Sequence, residues 1–197
     1  MLLAGGAGCV SAQVKFGVVG GWSTHNKMVF ERSNAFTTQT RYGWYFGPKM
    51  WVKIPVTGLS ANVALEYSQR NFHCGAKYEG KIGMASKKYC SLEIPANLRL
   101  GFSPARKTDV YLETGPQVAI TVGSRKAANI MEFNLVNLSW SLGAGVRLFN
   151  HIEVGGLYNF APVSFGTIYN PRQPETSKRA KSGMMPRSWN ITMGYVF

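Results

Sequence analysis

The chain has 197 residues, 45% of them hydrophobic, with a mean hydropathy of −0.08; 22 Lys and Arg outnumber 9 Asp and Glu, a formal net charge of +13. That length suits one domain. No run approaches the roughly 18 consecutive apolar residues of a membrane-spanning helix, yet a membrane barrel stays open, because barrel strands alternate and average out in hydropathy.

In chain order, Met1 to Gln13 come first. A short apolar run leads to Val10-Ser11-Ala12, an A-x-A-like cleavage site. The positively charged start of a secretory signal is missing, so residues 1–12 read as a truncated signal peptide and 13–197 as the mature domain. Cys9 raises a lipoprotein alternative, but Ala7-Gly8 precede it without the Leu expected three places upstream.

Eight runs of period-2 alternation follow, each predicting a strand. They are Val14 to Trp22, Trp44 to Ile54, Ala61 to Tyr67, Leu92 to Phe102, Val110 to Ile120, Leu138 to Leu148, Ile152 to Phe160 and Ser188 to Phe197. The connections alternate. Ser23 to Gly43, the basic stretch after the third run, Gly123 to Phe133 and Gly166 to Arg187 are long. Pro55 to Ser60, Ser103 to Lys107 and Asn150-His151 are short. An even strand number with long loops on one end and short turns on the other marks outer-membrane barrels. The predicted fold class is all-β: an eight-stranded antiparallel up-and-down transmembrane β-barrel, with long extracellular loops and short periplasmic turns. Pro48, Pro95, Pro116 and Pro162 fall within the strands, so bulges or rim positions are expected there.

A soluble lipocalin-like barrel also alternates, with its apolar face inward; a membrane barrel inverts this. The glycines Gly17, Gly101, Gly115, Gly143, Gly145, Gly155 and Gly194 share the polar face, as a narrow lumen requires. Charges on that face also match in height. Lys49 with Glu66, Arg70 with Glu93, Arg99 with Glu113 and Arg147 with Glu153 are predicted lumen ion pairs, since a lone charge in a dry lumen is costly. An eight-stranded interior is just wide enough for side chains to fill, so the lumen is expected to be plugged. Lys15 and Lys53 have no assigned partner.

Fifteen residues separate Cys74 from Cys90. In an oxidising compartment they are candidates for a disulfide; the alternative is two free thiols. The long connections carry 14 bases and four acids. Among these bases Lys77, Lys81, Lys87, Lys88, Arg125, Lys126, Lys178, Arg179 and Lys181 are candidate contacts to lipopolysaccharide phosphates, or simply solvated loop charges. Spread over four loops and without a recognition motif, they do not indicate a nucleic-acid partner. No cofactor or metal is expected: no His/Cys cluster has ligand spacing. Nor is catalysis. His25, His73 and His151 form no outward pair with a serine, and no G-x-S-x-G elbow exists. The last run alternates Trp189, Ile191, Met193, Tyr195 and Phe197 with small or polar residues, which predicts a closing strand.

Three segments carry a resemblance. "YCSLEIPANLRLGF" (Tyr89 to Phe102), "VYLETGPQVAI" (Val110 to Ile120) and "ALEYSQRNF" (Ala64 to Phe72), with Leu142-Gly143-Ala144-Gly145-Val146 later, resemble the outer-membrane β-barrel domain family of Bacteroidetes, the PorT-like and OmpX-like small barrels. The resemblance spans residues 14–197, and its short motifs are structural. It implies the outer membrane of a Gram-negative bacterium as the compartment, with lipid and lipopolysaccharide as neighbours. Its PorT branch is associated with type IX secretion, which would make secretion-system components partners. Tyr195 and Phe197 resemble the C-terminal aromatic signal read by barrel-assembly machinery. The expected role is structural or interactive, through basic extracellular loops. The rival readings are a PorT-like secretion component, a soluble lipocalin-like binder and a small-solute channel.

Overall fold

The computed structural model describes residues 13–30, 36–53, 58–78, 81–123, 126–127, 131–169 and 181–197. All its elements are strands: β1 (Gln13–Phe30), β2 (Phe36–Lys53), β3 (Leu59–Ala64), β4 (Glu66–Tyr78), β5 (Lys81–Ala105), β6 (Thr108–Val122), β7 (Lys126–Ala127), β8 (Met131–Phe133), β9 (Val136–Leu148), β10 (Ile152–Phe160), β11 (Gly166–Tyr169) and β12 (Lys181–Val196). β3 and β4 run on as one stave, interrupted at Leu65. Each stave pairs antiparallel with the next, and β12 returns to pair with β1 from Gly17↔Val196 to Phe30↔Met184. The result is the expected closed, eight-stranded antiparallel barrel. Closure leaves no sheet edge in the barrel wall, as hydrocarbon requires. The signal-peptide reading of 1–12 lies outside the described residues.

The barrel is inside out. Among the described residues, 21 of the buried side chains are polar or charged and 11 are apolar. The large apolar residues predicted on one face of each run point outward: Phe16, Trp44, Leu98, Leu112, Leu142 and Ile191 are exposed. Aromatic rings edge this apolar band on both sides. Trp44 meets Tyr67 at 5.7 Å and Tyr158 meets Trp189 at 4.9 Å on the loop side, and Tyr195 meets Phe197 at 5.8 Å on the turn side. Such girdles mark the two interfaces of a bilayer.

Several strands outrun their predicted limits. β1 continues to Phe30 and β2 begins at Phe36, inside the stretch expected to be a loop; β4 reaches Tyr78 and β5 begins at Lys81. Beyond the aromatic rings the bilayer no longer imposes hydrophobic alternation, so the sequence signal fades. Residues such as Thr37, Thr38 and Thr40 still favour a pleated backbone.

Proline placement differs from expectation in mid-barrel. Pro48 and Pro95 sit in β2 and β5 without a register shift. The consequence appears on the stave between them. Leu65 N–H donates to the Pro48 carbonyl at 3.0 Å, but Pro48 has no N–H to return, so the ladder breaks at Leu65. The Leu65 carbonyl lies over Gly47, where any Cβ would collide with it. The bulges fall elsewhere, between Thr24 and Lys27, Thr40 and Gly43, and Phe102 and Ala105. Pro162 lies just beyond β10, at the rim. At the turn end, Phe149 and Asn150 both adopt left-handed backbone, with φ of 52° and 63°, between β9 and β10.

The register also separates Cys74 from Cys90. Cys90 lies opposite Gln69 and Cys74 opposite Ala85. Five residues of strand, about 16 Å, lie between the two levels, far beyond the roughly 7 Å Cα limit for a disulfide. The expected bridge is corrected: Cys90 is a free thiol.

Candidate functional site

The lumen holds the chemistry of the molecule. Strand alternation fixes which residues enter it: odd positions on β2 and β5, for example, turn Tyr45, Lys49 and Trp51, and Tyr89, Ser91, Glu93 and Arg99, inward, and all are buried. Sequence reading named the charged members. It missed the inward aromatics Tyr45, Trp51, Tyr89 and Tyr111, although the same parity carries them. Aromatic residues look like lipid-facing ones unless their parity is followed through the strand.

Near the turn end, Arg99 is the centre of a buried network. Its Nη2 donates to Glu113 Oε2 at 2.9 Å and its Nη1 to Glu153 Oε1 at 2.5 Å. Arg147 donates to the same Glu153 oxygen at 2.7 Å, and Lys49 Nζ stands 3.9 Å from Glu153 Oε2. Asn62 adds a bond to Glu113 at 3.0 Å. The Arg99 guanidinium stacks on the Tyr111 ring at 3.6 Å. Tyr111 has room because it lies against Gly145 and Gly155: a Cβ on either would crowd its hydroxyl.

Further towards the loop end, Arg70 donates to Glu93 at 2.9 Å, Ser91 to the other Glu93 oxygen at 2.9 Å, and Gln117 also donates to Glu93. Asn159 donates to Gln117 at 3.1 Å. Above this, Tyr89 bonds Thr121 at 3.0 Å, Asn137 donates to Tyr89 at 3.2 Å, and the buried Phe133 packs on Tyr89 at 5.0 Å.

Arg70–Glu93, Arg99–Glu113 and Arg147–Glu153 thus meet as the strand heights predict. Lys49–Glu66 does not. Lys49 lies opposite Ala64 in the register and reaches across the lumen to Glu153, while Glu66 lies opposite Glu93. Among the described residues no cation comes within 4.0 Å of Glu66. Depth along neighbouring strands was legible in the sequence; reach across the lumen was not.

Among the described residues the network leaves little open space around Glu66. The cavity beside Tyr45, Glu66 and Asn190 holds about 20 Å³, room for about one water. A wider cup of about 170 Å³ opens at the turn end.

Of the basic residues predicted to meet lipopolysaccharide, Lys77 and Lys81 lie on the β4–β5 hairpin with Lys87 and Lys88, Lys126 lies on β7 and Lys181 on β12. The Lys88 side chain is exposed. Arg125, Lys178 and Arg179 lie outside the described residues. Tyr195 and Phe197 are on the outer face; the Phe197 N–H donates to the Phe16 carbonyl at 2.8 Å. His151 sits in the β9–β10 turn, with Nδ1 2.8 Å from the Val196 carbonyl and its ring stacked on Tyr195.

The sequence matches no protein-family model and no curated protein. Among solved structures, the chain is similar to the outer membrane protein OprG from Pseudomonas aeruginosa: TM-score 0.53, 13% identity, covering 93% of this chain and 94% of that one. It also aligns with Ail, the attachment invasion locus protein of Yersinia pestis, over 94% and 99% of the two chains at 11% identity and TM-score 0.45. The likeness to OprG supports the fold: a small barrel of the outer-membrane type.

Proposed function

We propose that this chain is an integral protein of a Gram-negative outer membrane, non-catalytic, with a plugged lumen and an interactive role carried by its basic loop end. The observation that carries this reading is the inversion of the barrel: an apolar band outside, edged by aromatic rings, around a hydrogen-bonded and charged interior. A soluble binder would need the opposite arrangement, and a channel would need open space where the Arg99 and Glu93 networks stand. The short turns then face the periplasm and the long hairpins face outward. As an outer-membrane barrel, the chain would be a client of barrel-assembly machinery.

On this reading the partner of the loop end is the phosphorylated surface of lipopolysaccharide. The support is electrostatic and geometric. The β4–β5 hairpin continues as a paired ladder beyond the aromatic ring and brings Lys77, Lys81, Lys87 and Lys88 onto one two-stranded element. Basic groups near an anionic surface are attracted to it within a screening length. Replacing these four lysines with glutamine is expected to lower binding of the refolded protein to lipopolysaccharide several-fold in low salt. Unchanged binding would remove lipopolysaccharide as the partner and leave the barrel assignment intact. The finer PorT-like reading rests on the family resemblance of the segments Ala64 to Phe72, Tyr89 to Phe102, Val110 to Ile120 and Leu142 to Val146; co-purification with type IX secretion components would favour it.

A further inference from the structure

Two charges remain unused by the lumen network. Lys15 on β1 and Lys53 on β2 border the turn-end cup of about 170 Å³, together with Arg147, Arg99 and Asp109. Lys15 lies opposite Trp51 in the register, so Lys53 is its diagonal neighbour on the same side of the sheet, about 7–8 Å away. Among the described residues neither lysine forms an ion pair. Arg99 and Arg147 are engaged from below by Glu113 and Glu153, and Asp109 accepts a bond from Ser103. The mouth is therefore lined by two neighbouring lysines and by Arg147, whose Nε and Nη2 are turned to Glu153, with the Asp109 carboxylate opposite Arg147 at the rim.

Two like charges lining one small cup repel each other, and an anion bound between them relieves that repulsion. The cup is below the size of a pocket for a drug-sized ligand and suits a compact oxyanion. Several point-charge donors around one guanidinium match a tetrahedral phosphate better than a planar carboxylate, which prefers a single bidentate fork. We propose that the turn-end cup binds a phosphate group, held by Lys15, Lys53 and Arg147. That group comes either from a soluble phosphate compound or from the headgroup of an anionic phospholipid in the adjoining leaflet. The site does not depend on the loop-end reading, because it lies at the opposite end of the barrel.

Trp51 also borders the cup, and among the described residues its buried indole N–H has no hydrogen-bond partner. It is a built-in reporter. The full barrel, refolded in neutral maltoside micelles, is titrated with inorganic phosphate while the Trp51 indole resonance is followed by NMR. The resonance is expected to shift saturably. The Lys15→Gln/Lys53→Gln double variant is expected to bind at least about tenfold more weakly. Arg187→Gln, which removes one charge at the loop end, is expected to bind as the parent does. Should the double variant not refold, the exposed Lys53→Gln alone provides the comparison. A shift with inorganic phosphate assigns a soluble anion; a shift only in micelles doped with phosphatidylglycerol assigns a lipid headgroup. No shift under either condition, or equal affinity in parent and lysine variant, overturns the proposal.

Discussion

Glu153 and Glu66 are both buried carboxylates in the same lumen, and their surroundings are opposite. Glu153 meets Arg99, Arg147 and Lys49, whereas Glu66 faces Glu93 across the ladder. Removing one partner of a buried network strands the others, at a cost of about 3–5 kcal/mol. Glu153→Gln is therefore expected to lose about 3 kcal/mol or more in urea unfolding from lipid vesicles. Glu66→Gln is expected to be neutral or stabilising, because it removes a like-charge contact and keeps the shape. Equal losses in the two variants would contradict the geometry. The cysteines give a second test at this scale. Cys74 and Cys90 are each expected to take one alkylating label without prior reduction; labelling that appears only after reduction would contradict the register.

At the scale of elements, two local rules are broken and both breaks are testable. Pro48 withholds the N–H that the Leu65 carbonyl would accept, in a part of the wall that faces lipid. Pro48→Val supplies that donor and is expected to raise stability by about 1 kcal/mol, read as a shift in the unfolding midpoint. Phe149 holds φ at 52°, a region that costs a residue with a Cβ roughly 1–2 kcal/mol. Phe149→Asn is expected to recover about 1 kcal/mol, since Asn tolerates the left-handed turn; a loss would mean that the Phe149 side chain contributes more than its backbone costs. The same two elements mark the limits of sequence reading. Period-2 alternation located all eight staves because the bilayer enforces it on the outer face. It could not show that β1, β2, β4 and β5 continue beyond the interface, where nothing enforces it. Nor could it show that Pro48 would break its neighbour rather than bulge its own strand, because that depends on register.

For the whole molecule, the lumen and the outer surface obey separate constraints. Same-height pairing along neighbouring strands is visible in a sequence, which is why Arg70–Glu93, Arg99–Glu113 and Arg147–Glu153 could be anticipated. The reach of Lys49 across the barrel, and the seat that Gly145 and Gly155 leave for Tyr111, depend on curvature and diameter. Those follow from closure and not from any one strand. The packed interior predicts no discrete conductance steps in a planar bilayer; stable open channels would contradict a filled lumen. The central claim is the inversion of the barrel, and β12 tests it most directly. Single nitroxide labels are placed at positions 188 to 195, in a background without native cysteines, and the protein is reconstituted in lipid vesicles. Collision rates with oxygen, which concentrates in hydrocarbon, are expected to be high at 189, 191, 193 and 195 and low at 188, 190, 192 and 194. Loss of that alternation, or high accessibility to a water-soluble relaxant at 191 and 193, would contradict the account.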